Sequence, residues 1–264
     1  MTEAPLLHLE DVSHAFFLDR KKTEAQIALE HVSLSIGKGE FVSLIGPSGC
    51  GKTVTLSLMA GFMTPTMGTV TFKNAPICES GPERGVVFQD YSLLPWLSVK
   101  QNVMFALKNA TKARKRPWNK AKGAEVAEKA LAQVGLSDAM SKRPNTLSGG
   151  QRQRVAIARL IAMDSEVFLM DEPFSALDEQ TRLSLDDSLF NLWQRGGKTI
   201  IFVTHSISEA VRISSRIVLF SRAPGRILHE WHVPAGMDRD PESEQSRQLS
   251  HEIRELMPLG PAPF

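Results

Sequence analysis

Residues 41–53 read FVSLIGPSGCGKT. A short apolar run, Phe41 to Ile45, leads straight into Gly46-Pro47-Ser48-Gly49-Cys50-Gly51-Lys52-Thr53, which matches G-x-x-x-x-G-K-[ST]. Leu56, Leu58 and Met59 beyond it continue as a helix, so the loop stands between a strand and a helix, the setting this motif requires. Small glycines let successive backbone N–H groups turn inward around phosphate oxygens, and the helix N-terminus adds partial positive charge. Lys52 is placed to reach the β- and γ-phosphates of a nucleoside triphosphate, and the Thr53 hydroxyl to ligate Mg²⁺. Cys50 sits at a variable position of the loop, and no chemistry is assigned to its side chain.

Working outward, three further apolar runs resemble Phe41–Ile45: Val167 to Met170, Thr199 to Val203 and Ile217 to Phe220. Runs apolar on both faces, alternating with helical stretches, predict parallel strands of an α/β sheet. Gly46, Asp171 and His205 fall at the carboxyl ends of the first three, the edge where open α/β sheets bind ligands. The N-terminal positions Leu7, Leu9 and Val12, with Leu29, Val32, Leu34 and Ile36, predict an antiparallel strand pair. About residues 90–163 the period becomes helical (Val126, Ala130, Leu131, Val134), which predicts a helical subdomain inserted in the core. Within it, residues 108–122 hold Lys108, Lys112, Arg114, Lys115, Arg116, Lys120 and Lys122 and no acid. A solvated face is the plain reading of such a run, and a headgroup or partner contact the other.

Val167-Phe168-Leu169-Met170-Asp171-Glu172 ends an apolar strand in two carboxylates. Asp171 at the strand tip suits the second protein contact to Mg²⁺, and Glu172 is placed to accept a proton from an attacking water. Leu147-Ser148-Gly149-Gly150-Gln151 precedes a helix for which Ser148 is a natural N-cap. A serine, two glycines and a helix N-terminus form a second candidate anion site. One nucleotide cannot easily use two such helix ends separated by a whole insertion, so the second is expected to serve a nucleotide held by another copy.

At this point the chain resembles the ATP-binding cassette (ABC) ATPases, whose signature is LSGGQ, over about residues 5 to 235. The resemblance implies a P-loop NTPase core with a mainly parallel sheet, an N-terminal antiparallel β part and the helical subdomain. By it, Gln89 in Val86-Val87-Phe88-Gln89 is similar to the glutamine that contacts Mg²⁺ and water and senses a transmembrane partner. Ser175-Ala176-Leu177-Asp178 is similar to the D-loop, with Asp178 at the dimer interface. His205 matches the switch histidine at the γ-phosphate, and Phe16 the aromatic that stacks on adenine. The resemblance also implies a head-to-tail pair, each ATP lying between Gly46–Thr53 of one copy and Leu147–Gln151 of the other.

The chain's 264 residues carry one phosphate loop, one signature and two cysteines. Set against the family it resembles, where translation-type members usually carry two cassettes and repair types insert coiled coils or zinc modules, neither of those types is expected. No apolar run reaches 18 residues and no signal peptide is evident, which predicts a cytosolic chain. The net charge of +2 does not point to nucleic acid, and no nucleic-acid partner is expected. What the resemblance then implies is an ATP-hydrolysing subunit peripheral to the cytoplasmic face of the cell membrane. It would dock on permease subunits and be served indirectly by a solute-binding protein. A soluble regulator or nucleic-acid remodeller is the alternative. Gly85 to Gln89, Leu93-Leu94-Pro95-Trp96, Asn102-Val103 and Ser221 to Ile227 resemble the nitrate/sulfonate/taurine importer group. The cassette is expected over 1–235, with 236–264 a linker and a short helix bearing Leu249, Ile253, Leu256 and Met257. His229, Trp231 and His232 lack metal-ligand spacing and are read as structural.

Overall fold

The computed structural model describes residues 4–17, 25–175 and 177–257. In chain order the elements are β1 (Leu7–Phe17), β2 (Ala25–Ile36), β3 (Phe41–Ile45), α1 (Lys52–Ala60), β4 (Met67–Phe72), β5 (Ala75–Pro76) and β6 (Arg84–Val87). Then come α2 (Val99–Ala113), α3 (Lys120–Gln133), two 3₁₀ turns, α4 (Gly149–Ala162), β7 (Val167–Asp171) and α5 (Glu179–Gly196). The chain closes with β8 (Thr199–Val203), α6 (Ile207–Ile213), β9 (Arg216–Phe220), β10 (Ile227–His232) and α7 (Glu244–Leu256). They divide into two compact units, Met1–Ser80 with Trp193–Phe264, and Gly81–Leu192.

In the first unit β1 lies antiparallel between β2 and β4, with the short β5 on β4's other side. Leu7 faces Ile36 and Leu9 faces Leu34, so the apolar alternation read from the sequence becomes one buried face. β3 runs parallel to both β8 and β9. With a neighbour on each side and both faces covered, all five of its residues are buried, which is why its sequence does not alternate. β10 joins β9 antiparallel, and Arg216 at the head of β9 is held by Glu230 at 2.5 Å and Glu40 at 3.1 Å. α7 brings Ile253 into a cluster with Ile45, Val211, Leu219 and Trp231. Burying that one side chain is worth about 2 kcal/mol.

In the second unit β6 and β7 form a parallel pair. α2, α3 and α4 enclose a core of Val99, Val103, Ala127, Leu131, Val155 and Ala158, small residues alternating with branched ones. α2 and α4 both open on a capping box, Ser98 with Gln101 and Ser148 with Gln151. Each box satisfies two orphan N–H groups. Among the described residues no helix is long and apolar enough to cross a membrane.

The predicted strands, the antiparallel N-terminal pair and the C-terminal helix all appear. Three strands do not stand out in the sequence. β4 begins with three exposed residues, Met67, Gly68 and Thr69, β5 has only two residues, and β6 carries a glycine and an arginine among four. Pairing with β1 and β7, not local pattern, makes β4 and β6 strands.

Candidate nucleotide site

The first unit carries the phosphate loop. Gly46, Gly49 and Gly51 stand at φ of 147°, 77° and 91°, in the left-handed half of the map where a side chain is strained. That conformation turns the loop back on itself and leaves Gly51 as the N-cap of α1. Lys52 is 6% exposed. Its ammonium donates to the carbonyls of Gly46 at 2.8 Å and Pro47 at 2.9 Å, with Cys50 Sγ at 3.4 Å. The cation is thereby strapped back onto the start of the loop, and Ser48 and Gly49 beyond it are exposed. Thr53, in the first turn of α1, is exposed.

The loop is walled by distant chain. Gly225 donates to Ala28 O at 2.9 Å and its carbonyl accepts from Glu30 N at 3.0 Å, fixing the turn after β9 against β2. A Cβ on Gly225 would lie 2.1 Å from Cys50 O, so only glycine admits this approach. Phe16, 39% exposed near the end of β1, meets the His14 ring edge-on at 5.0 Å. His205 is exposed, following β8 and Thr204; Thr204 hydrogen-bonds Glu209, and Ser206 caps α6.

The second unit carries the carboxylates, the glutamine and the signature. Asp171 ends β7, and Glu172 follows at φ 43°, a left-handed backbone rare outside glycine. Gln89 Nε2 donates to Ser175 Oγ at 3.1 Å, and Ser175 Oγ donates to Glu172 O at 3.0 Å. The structure thus ties Gln89 to the turn that carries Glu172. The bend beyond Gln89 is clamped by α4: Arg159 donates to Ser92 O at 2.8 Å and to Tyr91 O at 3.4 Å. Burial lowers the Arg159 pKa and raises that of Tyr91, against which Arg152 pulls the other way.

Leu147 is buried and Ser148 exposed; Ser148 Oγ accepts from Gln151 N at 3.2 Å while Gln151 Oε1 accepts from Ser148 N at 3.1 Å. Gly149 and Gly150 lie in the first turn, Gly150 buried beside Thr181, so the positive end of the helix presents the exposed Ser148 and the half-buried Gly149. Asp178 Oδ1 accepts from Thr181 N at 2.9 Å as α5 begins, and this bond holds its carboxyl below the ordinary range. Ala176, beside it, lies outside the described residues.

Four participants were not assigned these parts from the sequence: Ser175 as bridge, Arg159 as clamp, Gly225 as the loop's wall, and Asn102. Asn102 is buried; its side chain accepts from Leu94 N at 2.8 Å and donates to the carbonyls of Leu94, Leu97 and Ser98 at 3.1, 3.2 and 3.1 Å. It folds the loop that holds Trp96 out, 66% exposed.

A family model described as ABC transporter matches residues 29–175. The chain is 46% identical over 211 residues to a taurine import ATP-binding protein of Chromobacterium violaceum, covering 80% of this chain and 78% of that protein. It is 42% identical over 225 residues to a nitrate import ATP-binding protein of Synechococcus elongatus, covering 85% and 79%. Among solved structures it is similar to an ATP-binding cassette in a dimeric post-hydrolysis state bound to ADP and Pi. The TM-score is 0.75 and the identity 31%, over 87% of this chain and 99% of that one.

Proposed function

Since the chain belongs to the ABC transporter family of ATP-binding proteins, we propose that it is the ATP-hydrolysing subunit of an importer for a small oxyanion or sulfonate. One observation carries this reading. A phosphate loop with its lysine strapped in place and a capped Ser148–Gln151 helix end occur in a chain 42–46% identical to nitrate and taurine import subunits.

In this reading the N–H groups of Gly46–Thr53 and the Lys52 ammonium bind the phosphates of ATP, and Phe16 stacks on the adenine. Lys52 already spans the loop, so it meets the phosphates without being ordered first. The hydroxyl of Thr53, the carboxylate of Asp171 and the amide oxygen of Gln89 are hard oxygen donors suited to Mg²⁺. When bound, Mg²⁺ neutralises phosphate charge. Glu172 takes the proton of the attacking water, Gln89 orients that water, and His205 contacts the γ-phosphate.

Two copies pair so that Leu147–Gln151 of one closes over the nucleotide on the other, with Asp178 at their contact. ATP favours the closed pair only through the contacts it makes there and not in the open one. The pair works from the cytoplasmic face of the membrane on permease subunits fed by a solute-binding protein. The exposed Trp96, held out beside Gln89 in sequence, is a contact for the permease.

The test is co-purification of the tagged chain from membranes with a permease, followed by ATPase assays in proteoliposomes. Hydrolysis that rises with nitrate, taurine or a related anion supports the reading. Nucleotide-dependent binding to DNA or RNA with no permease recovered overturns it.

A further inference from the structure

The basic run of residues 108–122 takes no part in the nucleotide chemistry, and the structure gives it a shape. α2 ends in a Schellman turn: Lys115 N donates to Lys112 O at 2.9 Å and Arg116 N to Thr111 O at 3.0 Å. The left-handed position of that turn, normally glycine, is Lys115 at φ 54°. Pro117 and Trp118 follow, and Asn119 caps α3 by accepting from Lys122 N at 3.0 Å.

Trp118 packs against Gly123, where an added Cβ would stand 2.3 Å from the indole. Gly123 is the fourth residue of α3, and its missing side chain leaves the space the ring occupies. Beside the ring is a pocket of about 200 Å³ lined by Leu107, Thr111, Arg116, Trp118, Lys122 and Val126. Its lining is mostly apolar, with the polar Thr111 and Asn119, and its two charges are both positive.

The surroundings extend this pattern. Phe105, Lys108 and Lys112 stand at i, i+3 and i+7 of α2 and are all exposed, one stripe along the helix. Among the described residues no ion pair engages Lys108, Lys112, Lys115, Arg116, Lys120 or Lys122, whereas Arg114 pairs with Glu83 and Lys100 with Glu128. The nearest acid onward in the chain is Glu125, also exposed.

We propose that this end of the α2–α3 hairpin binds the phosphate headgroups of an anionic phospholipid surface, with Arg116 and Lys122 on a phosphodiester and Trp118 at the interface. Clusters of four to eight Lys and Arg take up acidic lipids, and an indole prefers the boundary between apolar and wet. Nucleic acid fits less well. The pocket has room for one headgroup, and the whole chain's charge is only +2. The proposal rests on the importer reading for its setting at a membrane, but its test does not use transport.

Full-length protein is sedimented with vesicles of phosphatidylglycerol and phosphatidylcholine, or of phosphatidylcholine alone. Binding is expected only to the first, weakening with salt as an exposed charged contact must. Arg116→Gln with Lys122→Gln should weaken it by about 30-fold. Lys115→Gly removes one charge while relieving the left-handed backbone, and should weaken binding by about fivefold with no loss of thermal stability. Basal ATPase activity should be unchanged in both variants, which separates this outcome from a failure of the importer reading. Equal binding to phosphatidylcholine alone, or indifference to both variants, overturns the proposal. So does competition by inorganic phosphate alone, which would make the ligand a free anion, or tighter binding to duplex DNA than to the vesicles.

Discussion

The backbone of Gly225 presses on the carbonyl of Cys50, leaving room for a hydrogen and for nothing larger. The turn after β9 is thus a structural wall of the phosphate loop, although 175 positions separate the two residues. Gly225→Ala has to displace either the loop or the turn. We expect a stability loss of about 1–3 kcal/mol, as for an overpacked core, and a weaker Kd for ATP, read by thermal melting and nucleotide titration. Unchanged ATP affinity would mean the loop does not depend on this wall.

Glu172, the proposed proton acceptor, stands on a strained backbone at φ 43°. Glu172→Gln should slow hydrolysis by about 10²–10⁴-fold and keep ATP binding, accumulating a closed dimer visible by size exclusion. Glu172→Gly should be at least as inactive, yet melt no lower than the parent, because glycine accepts φ 43° without strain. A glycine variant that melts much lower would show that the side chain is there for stability. Near-normal turnover in the glutamine variant would remove Glu172 as the base.

Ser175 holds Gln89 to the Glu172 turn through two hydrogen bonds. In Ser175→Ala both are lost while every proposed reacting group remains. Loosened positioning should lower kcat by about tenfold with KM for ATP little changed. A fall in affinity with kcat intact would assign Ser175 to binding instead.

Ser148 caps α4 and, in the proposed pair, closes the partner copy's nucleotide site; the two are separable. Ser148→Ala removes the α4 cap and should cost about 1 kcal/mol in chemical denaturation. Ser148→Arg adds bulk at the helix end and should abolish ATPase activity of the homodimer. Mixed with Lys52→Ala, it should recover at most one working site per pair. Full activity of the arginine homodimer would reject the shared site.

What could be read in the sequence was what lies contiguous in it. The loop Gly46–Thr53 and the capped Ser148–Gln151 turn are each one unbroken segment whose geometry follows from local residue types. Strands buried on both faces, such as β3, announce themselves by uninterrupted apolar residues; β4 and β6, half polar, become strands only through their partners. The same limit applies in the site. Ser175 meets Gln89 across 86 positions, and Arg159 grips Ser92 across 67. Such pairs depend on tertiary packing, and no local period marks them. The lipid pocket falls between: its charges were plain in the sequence, while the indole seat on Gly123 needed the structure.

Asn102 gives the loop before α2 an unusual economy. One buried amide supplies four of the bonds that shape residues 94–98, so the trace of the loop depends little on the residues at its tip. Pro95 and Trp96 are free to be exchanged while the frame stays. In the proposed importer, a lineage of such subunits re-matches itself to a new permease by changing the ornament on a fixed hook, without rebuilding the proposed catalytic parts.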